Sequence, residues 1–176
     1  MNILFLDIDG VVLTHRAERY FEQVNYGYNP RIFHNFLRII EEASIPTRIV
    51  LNSTTKKDTK GHSCWWWIRS SGLRKRFREL LHPNWNDIPW KFIIGNREDG
   101  IVHWMEQYAS SGDVPIALDD SPSVYQNADS LGIHFIRCYT EAGITTHQLT
   151  QLELALGGTF TKIASSREWD KKYGRG

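Results

Sequence analysis

Two carboxylates and a glycine, Asp7-Ile8-Asp9-Gly10, stand directly behind the apolar run Ile3-Leu4-Phe5-Leu6. So short an apolar run reads as a buried strand of a parallel sheet. Ligands of open α/β sheets sit at the carboxyl ends of such strands. Residues two apart on a continuing strand share a face, which would bring Asp7 and Asp9 together. Like charges gathered at the mouth of a buried strand need a cation or a proton between them. Gly10 permits a sharp exit and a close approach of backbone to ligand. The chemistry this suggests is an Mg²⁺ site in which one aspartate attacks and the other handles a proton. The plainer reading is an Asp-Gly turn with both acids in water, and the partners found further along the chain weigh against it.

Those partners end two more apolar runs. Arg48-Ile49-Val50-Leu51 leads into Asn52-Ser53, and Val114-Pro115-Ile116-Ala117-Leu118 leads into Asp119-Asp120. If the three strands are adjacent and parallel, their tips meet at one edge. Phosphoryl transfer asks for such a set: hard oxygen ligands for the metal, and neutral or cationic donors for the equatorial oxygens. Asn52 and Ser53 donate hydrogen bonds without adding negative charge. Asp119 and Asp120 complete the shell of the cation, one touching Mg²⁺ and the other orienting a water or a loop. Arg97, at the start of the helix before the last of these strands, is favoured by chain order as the positive group. Lys91, Lys56 and Lys57 are the other basic residues in range.

Taken together, Asp7-Ile8-Asp9-Gly10-Val11, a strand ending in small polar residues, a basic residue and Leu118-Asp119-Asp120 resemble the haloacid dehalogenase (HAD) superfamily. The likeness is to its compact phosphatase-like branch, which includes domains of RNA-repair proteins, and it covers residues 1 to about 140. The resemblance implies that Asp7 is a nucleophile forming an aspartyl-phosphate. It implies that Asp9 is the general acid for the leaving oxygen and then the base for water. Mg²⁺ would be held by Asp7, by Asp9 through its backbone carbonyl, and by Asp119 or Asp120. Aspartate rather than serine at position 9 favours phosphate hydrolysis over dehalogenation. The superfamily usually has Ser or Thr directly after the second strand, where this chain has Asn52, so Asn52 and Ser53 both stand as candidates. Arg97 departs from the commoner lysine.

The elements that must position these groups alternate along the chain. Five strands are expected: the N-terminal run, 48–51, Trp90 to Ile94 closed by Gly95-Asn96, 114–118 and 133–138. A helix opens at Pro30 behind an Asn29 cap and carries a 3.6-period stripe through Ile40. Further helices are expected over Leu73 to Leu81, Arg97 to Tyr108 and Thr145 to Leu156. Alternating strands and helices give an α/β fold, a three-layer Rossmann-like (HAD-like) parallel sheet with helices on both faces and a small or absent cap. Residues 1–163 read as a single HAD-like domain with a small insert near 56–89, and 164–176 as a polar tail. Leu13 to Pro30, with Tyr20, Phe21, Tyr26 and Tyr28, reads as an excursion over the site.

Composition narrows the setting. The chain has 176 residues, 41% hydrophobic and 23% charged, enough for one core of ordinary soluble type. A net charge of +1 leaves the question of a nucleic-acid partner to local patches. Two cysteines, Cys64 and Cys138, and no CxxC fit a reduced, cytoplasmic setting, and the apolar start is too short for a signal core or a membrane span. His62 and Cys64 do not amount to a zinc site.

The substrate reading rests on an open site and on one patch. Trp65, Trp66, Trp67 and Trp85 lie near Arg69, Arg74, Lys75, Arg76 and Arg78. Such a mixture can stack bases, at roughly 1–3 kcal/mol each, and hold phosphates. It reads equally as buried tryptophans beside a solvated helix face. The expected activity is that of an Mg²⁺-dependent phosphatase on a nucleotide or a nucleic-acid terminal phosphate. The alternatives are a small-metabolite phosphatase and a non-catalytic HAD-fold module that binds nucleic acid.

Overall fold

The computed structural model describes residues 1–14, 28–56, 68, 70–140 and 142–157. Four strands among the described residues form one parallel sheet: β1 (Asn2–Leu6), β2 (Thr47–Leu51), β3 (Val114–Asp119) and β4 (His134–Arg137). Their order is β2-β1-β3-β4. The α-helices among the described residues are α1 (Pro30–Glu41), α2 (Ser71–Glu79), α3 (Trp90–Ile93), α4 (Arg97–Tyr108) and α5 (Thr146–Ala155).

All five residues of β1 are buried, because the strand lies between two helical layers. Side chains alternate across a strand, so Leu4 and Leu6 enter one apolar cluster with Phe33, Phe36 and Leu37 of α1, Phe77 of α2 and Leu149 and Leu152 of α5. Ile3 and Phe5 enter the other, with Ile93 of α3 and Ile101 and Trp104 of α4. That division is the three-layer α/β architecture. From β1 the chain winds to β2 on one side, then returns past β1 to reach β3. The order therefore reverses between β1 and β3, and that crevice is where such sheets hold ligands.

The helix starts follow from local chemistry. The Asn29 side chain accepts from Arg31 N and Ile32 N, with Pro30 in the first turn where its missing N–H is not needed. Asn96 accepts from Glu98 N and Asp99 N and so starts α4, making Arg97 its first residue.

The strand expected over 90–94 is a helix. Pro89 supplies the first turn, with Phe92 N donating to its carbonyl at 3.0 Å. A strand inserted in this sheet would be buried on both faces, yet Lys91 and Ile94 are exposed while Ile93 is buried. Both sides of β1 are already taken by β2 and β3. Gly100 lets α3 pack against α4: a Cβ there would come within 2.9 Å of Phe92 Cβ.

The described part of the 56–89 segment packs onto the body of the sheet. Leu73 and Phe77 of α2 are buried, and Phe77 lies 5.6 Å from Phe33, ring centre to ring centre. Residues 80–85 then run along the outer side of β2. Ile49 N donates to Leu80 O, His82 N to Ile49 O and Leu51 N to Trp85 O, each at 2.9 Å, which covers an otherwise open sheet edge. Residues 15–27 of the excursion expected over 13–30, the tryptophans at 65–67, Arg69, His62, Cys64 and the 164–176 tail lie outside the described residues. No helix among the described residues is long and apolar enough to cross a membrane.

Candidate active site

Register brings the acids together. Leu6 pairs with Leu51 on one side and Leu118 on the other. The next residue of each strand, Asp7, Asn52 and Asp119, therefore falls in one row at the carboxyl rim. Backbone bonds extend one step beyond the leucines: Asp7 N donates to Leu118 O and Asn52 N to Leu6 O, both at 3.0 Å. Asp7 is 2% exposed, and Asn52, Ser53 and Asp119 are fully buried.

β1 stops at Leu6, so Asp7 and Asp9 do not share a strand face. Val12 N and Leu13 N both donate to Ile8 O at 2.9 Å, and Gly10, at φ 76°, turns the chain. Asp7 goes inward while Asp9 stays exposed at the mouth. There Asp9 Oδ2 accepts from Thr54 Oγ1 at 3.2 Å and from the Thr55 hydroxyl. Gly10 is required for a second reason: a Cβ on it would fall 2.0 Å from Asp120 Oδ2.

Arg97 enters from the opposite layer. Its Nη1 donates to Asp7 Oδ2 at 2.7 Å and also to Asp119 Oδ2, and its side chain is 13% exposed. A cation in the first turn of a helix opposes the helix dipole by about 0.3–1 kcal/mol. The two buried carboxylates outweigh that. Arg97 Nε also reaches Ile93 O at 3.4 Å, so the helical form of α3 helps aim the guanidinium.

Burial and charge perturb the site strongly. Asp7 is pushed up from 3.8 to about 7, first by burial and then by neighbouring Asp119, against the pull of Arg97 and a hydrogen bond from Ser53. Burial also raises Asp119, opposed by Arg97, the Ser121 amide and Tyr125. Burial disfavours the Arg97 cation, but Asp7 and Asp119 together reverse this and raise its pKa. The Tyr125 phenol is raised well above its ordinary value by burial and by Asp119.

Oxygens of Asp7, Asp119 and Asp120 lie within 4.8 Å of one another. Three carboxylates against one guanidinium leave two negative charges, and all the donors are hard oxygens. A small divalent cation such as Mg²⁺ fits this set. The Asp9 carboxylate is not in the cluster.

Of the residues singled out from sequence, Asp7, Asn52, Ser53, Arg97, Asp119 and Asp120 thus gather at one rim, with Asp9 at its mouth. Lys91 lies elsewhere, exposed with its ammonium 4.7 Å from the Phe92 ring centre. Lys57 is outside the described residues. The basic run is largely engaged in packing: Arg74 donates to Ile68 O, Arg76 binds Glu41 and His34, and Lys75 lies 3.8 Å from Glu79. Trp85 packs against the core.

Sequence reasoning missed three side chains. Thr54 and Thr55 sit in the same polar run as Ser53 and were within reach of an argument from the strand tip. Tyr125 was not, since nothing local separates it from the other tyrosines. Its hydroxyl donates to Asp119 Oδ2 at 3.1 Å and accepts from Asn52 Nδ2 at 3.2 Å.

A family model described as the HAD domain in Swiss Army Knife RNA repair proteins matches residues 3–149. No curated protein and no solved structure matches the chain.

Proposed function

This chain belongs to the family of HAD domains in Swiss Army Knife RNA repair proteins, and from that premise we propose that it is an Mg²⁺-dependent phosphatase working through an aspartyl-phosphate. The observation that carries the reading is the cluster of Asp7, Asp119 and half-buried Asp120, whose two buried members Arg97 bridges. Family membership supports a HAD-type phosphohydrolase in general; the buried acids supply a reason for a divalent ion.

Asp7, Asp119 and Asp120, with the Asp9 backbone carbonyl, would hold Mg²⁺, which when bound supplies positive charge against the phosphoryl oxygens. The Asp7 carboxylate attacks phosphorus, forming an O–P bond as the bond to the leaving oxygen breaks. Asp9, at the solvent mouth, gives its proton to that oxygen. It then takes a proton from the water that attacks the aspartyl-phosphate, releasing inorganic phosphate and restoring Asp7. Arg97 holds the Asp7 carboxylate in place and balances charge as it builds on the transferred group. The neutral pair Asn52–Ser53 adds no negative charge at the rim.

The substrate class we assign is a nucleotide or the terminal phosphate of a nucleic acid. Two observations support it: the RNA-repair description of the family, and residues 80–85, which pair along the outer edge of β2. A phosphate-release panel tests both levels. It contains p-nitrophenyl phosphate, mononucleotides, 3′- and 5′-phosphorylated oligonucleotides and sugar phosphates, with and without Mg²⁺. Mg²⁺-dependent release that is best on the nucleotide or oligonucleotide arms is expected. Preference for sugar phosphates would overturn the substrate class, and no release on any arm would overturn the phosphatase reading.

A further inference from the structure

The hydrogen bonds behind the acid triad run in one direction, and that direction decides what Asn52 can do. Asp119 uses both carboxylate oxygens as acceptors: Oδ1 takes the Ser121 amide at 2.9 Å and Oδ2 takes Arg97 Nη1. Tyr125, 3.1 Å from the same Oδ2, must therefore be the donor in that contact. A phenol has a single O–H hydrogen. With it directed to Asp119, the Tyr125 oxygen can only accept from Asn52, 3.2 Å away. The Asn52 amide then turns its NH₂ toward Tyr125. Its unpartnered atom is Oδ1, which is buried. An acceptor has the wrong polarity for a phosphoryl oxygen, itself an acceptor. Turning the amide over would set two oxygens against each other at Tyr125.

Ser53 is placed differently. It is fully buried, and its Oγ accepts from Thr55 N at 3.3 Å. A hydroxyl that accepts there keeps its own hydrogen to donate. Tyr125 is also well fixed for a supporting role. Its ring stacks on Phe135 at 4.4 Å and 10°, and the short turn Pro122–Val124 folds it back beneath its own strand tip.

We infer that Asn52 and Tyr125 are a positioning pair that holds the Asp119 carboxylate for the cation, and that Ser53 is the hydrogen-bond donor to the transferred phosphoryl group. This rests on the phosphatase reading given above. Arg97 draws Asp119 toward Asp7, and the Tyr125 hydroxyl anchors the same oxygen from another direction. Asn52 acts on Asp119 only by fixing the orientation of that hydroxyl.

The test is a double-mutant cycle read by calorimetric titration with Mg²⁺, using the parent, Asn52→Ala, Tyr125→Phe and the double variant. Tyr125→Phe keeps the stacked ring and should weaken Mg²⁺ about tenfold, the loss of one hydrogen bond to a charged group. Asn52→Ala should weaken it by less, and the double variant should be no worse than Tyr125→Phe. At saturating Mg²⁺ both single variants should hydrolyse p-nitrophenyl phosphate with unchanged KM, whereas Ser53→Ala should raise KM or lower kcat at every Mg²⁺ concentration. Asn52→Ser, read alongside, serves if the alanine variant does not fold.

Unchanged Mg²⁺ affinity in the single variants overturns the pair, as do losses that multiply in the double variant. An Asn52→Ala increase in KM that persists at saturating Mg²⁺ overturns the assignment of Ser53. Calorimetry needs no turnover: a parent that binds Mg²⁺ but releases no phosphate refutes the phosphatase reading while the cycle still judges the pair. A parent that binds no Mg²⁺ refutes both.

Discussion

Replacing Arg97 with methionine keeps most of the stem of a side chain that is 13% exposed and removes the guanidinium between Asp7 and Asp119. Both carboxylates are buried, and Asp7 stands at about 7 even with Arg97 beside it. Removing one partner of a buried pair costs about 3–5 kcal/mol, because the remaining charge is left without compensation. In a chain of this size that corresponds to a fall in Tm on the order of 10 °C. The loss depends on pH with a definite sign. Arg97 lowers the pKa of both acids, so without it they protonate more readily. At pH 5 Asp7 is neutral in either protein and the guanidinium matters least. At pH 8 it is charged in the parent, and the variant must either hold a bare carboxylate there or take up a proton. The assay is urea and thermal unfolding of parent and Arg97→Met in EDTA at pH 5 and pH 8. The deficit should be several-fold larger at pH 8, and Mg²⁺ should restore part of it. An equal deficit at the two pH values would assign the loss to packing, and a deficit below about 1 kcal/mol would make Arg97 an ordinary surface residue.

Three further outcomes follow from the same geometry. The parent in EDTA should gain stability from Asp7 as pH falls: with a folded value near 7 against 3.8, this contribution is full below about pH 4 and lost as pH rises through 7. Mg²⁺ should reverse the slope, since carboxylates must be ionised to bind it, and Tm measured from pH 5 to 8 with EDTA or Mg²⁺ checks this. Asp7→Asn should abolish phosphate release yet raise the Tm of the metal-free protein at pH 8, because it removes a buried like charge beside Asp119; a lower Tm would contradict the charge argument. Gly10→Ala forces a Cβ onto a residue at φ 76° and onto the Asp120 carboxylate, so it should cost at least about 1 kcal/mol and weaken Mg²⁺ binding by calorimetry, with wild-type affinity counting against Asp120 as a ligand.

Much of this protein was readable before any tertiary information, wherever the signal is local. The buried runs ending at Leu6, Leu51 and Leu118 announced parallel strands, because a strand covered on both faces must be apolar throughout. Asn29-Pro30 marked the start of a helix, because the chemistry of capping lies within a few residues. The polar residues behind each strand marked the rim. Trp90 to Ile94 was misread as a strand for a physical reason: five apolar and basic residues carry too little periodicity to separate a strand from a turn of helix. What decided it was the occupied flanks of β1, a property of the whole sheet. The same holds for the outward path of Asp9, the double contact of Arg97 with Asp7 and Asp119, and the chain from Asn52 through Tyr125. Side-chain hydrogen bonds and charge pairs join residues up to 90 positions apart in this site, and their strength depends on burial. Sequence supplied the chemical groups and the strand ends that carry them; only folding fixed which oxygen faces which hydrogen.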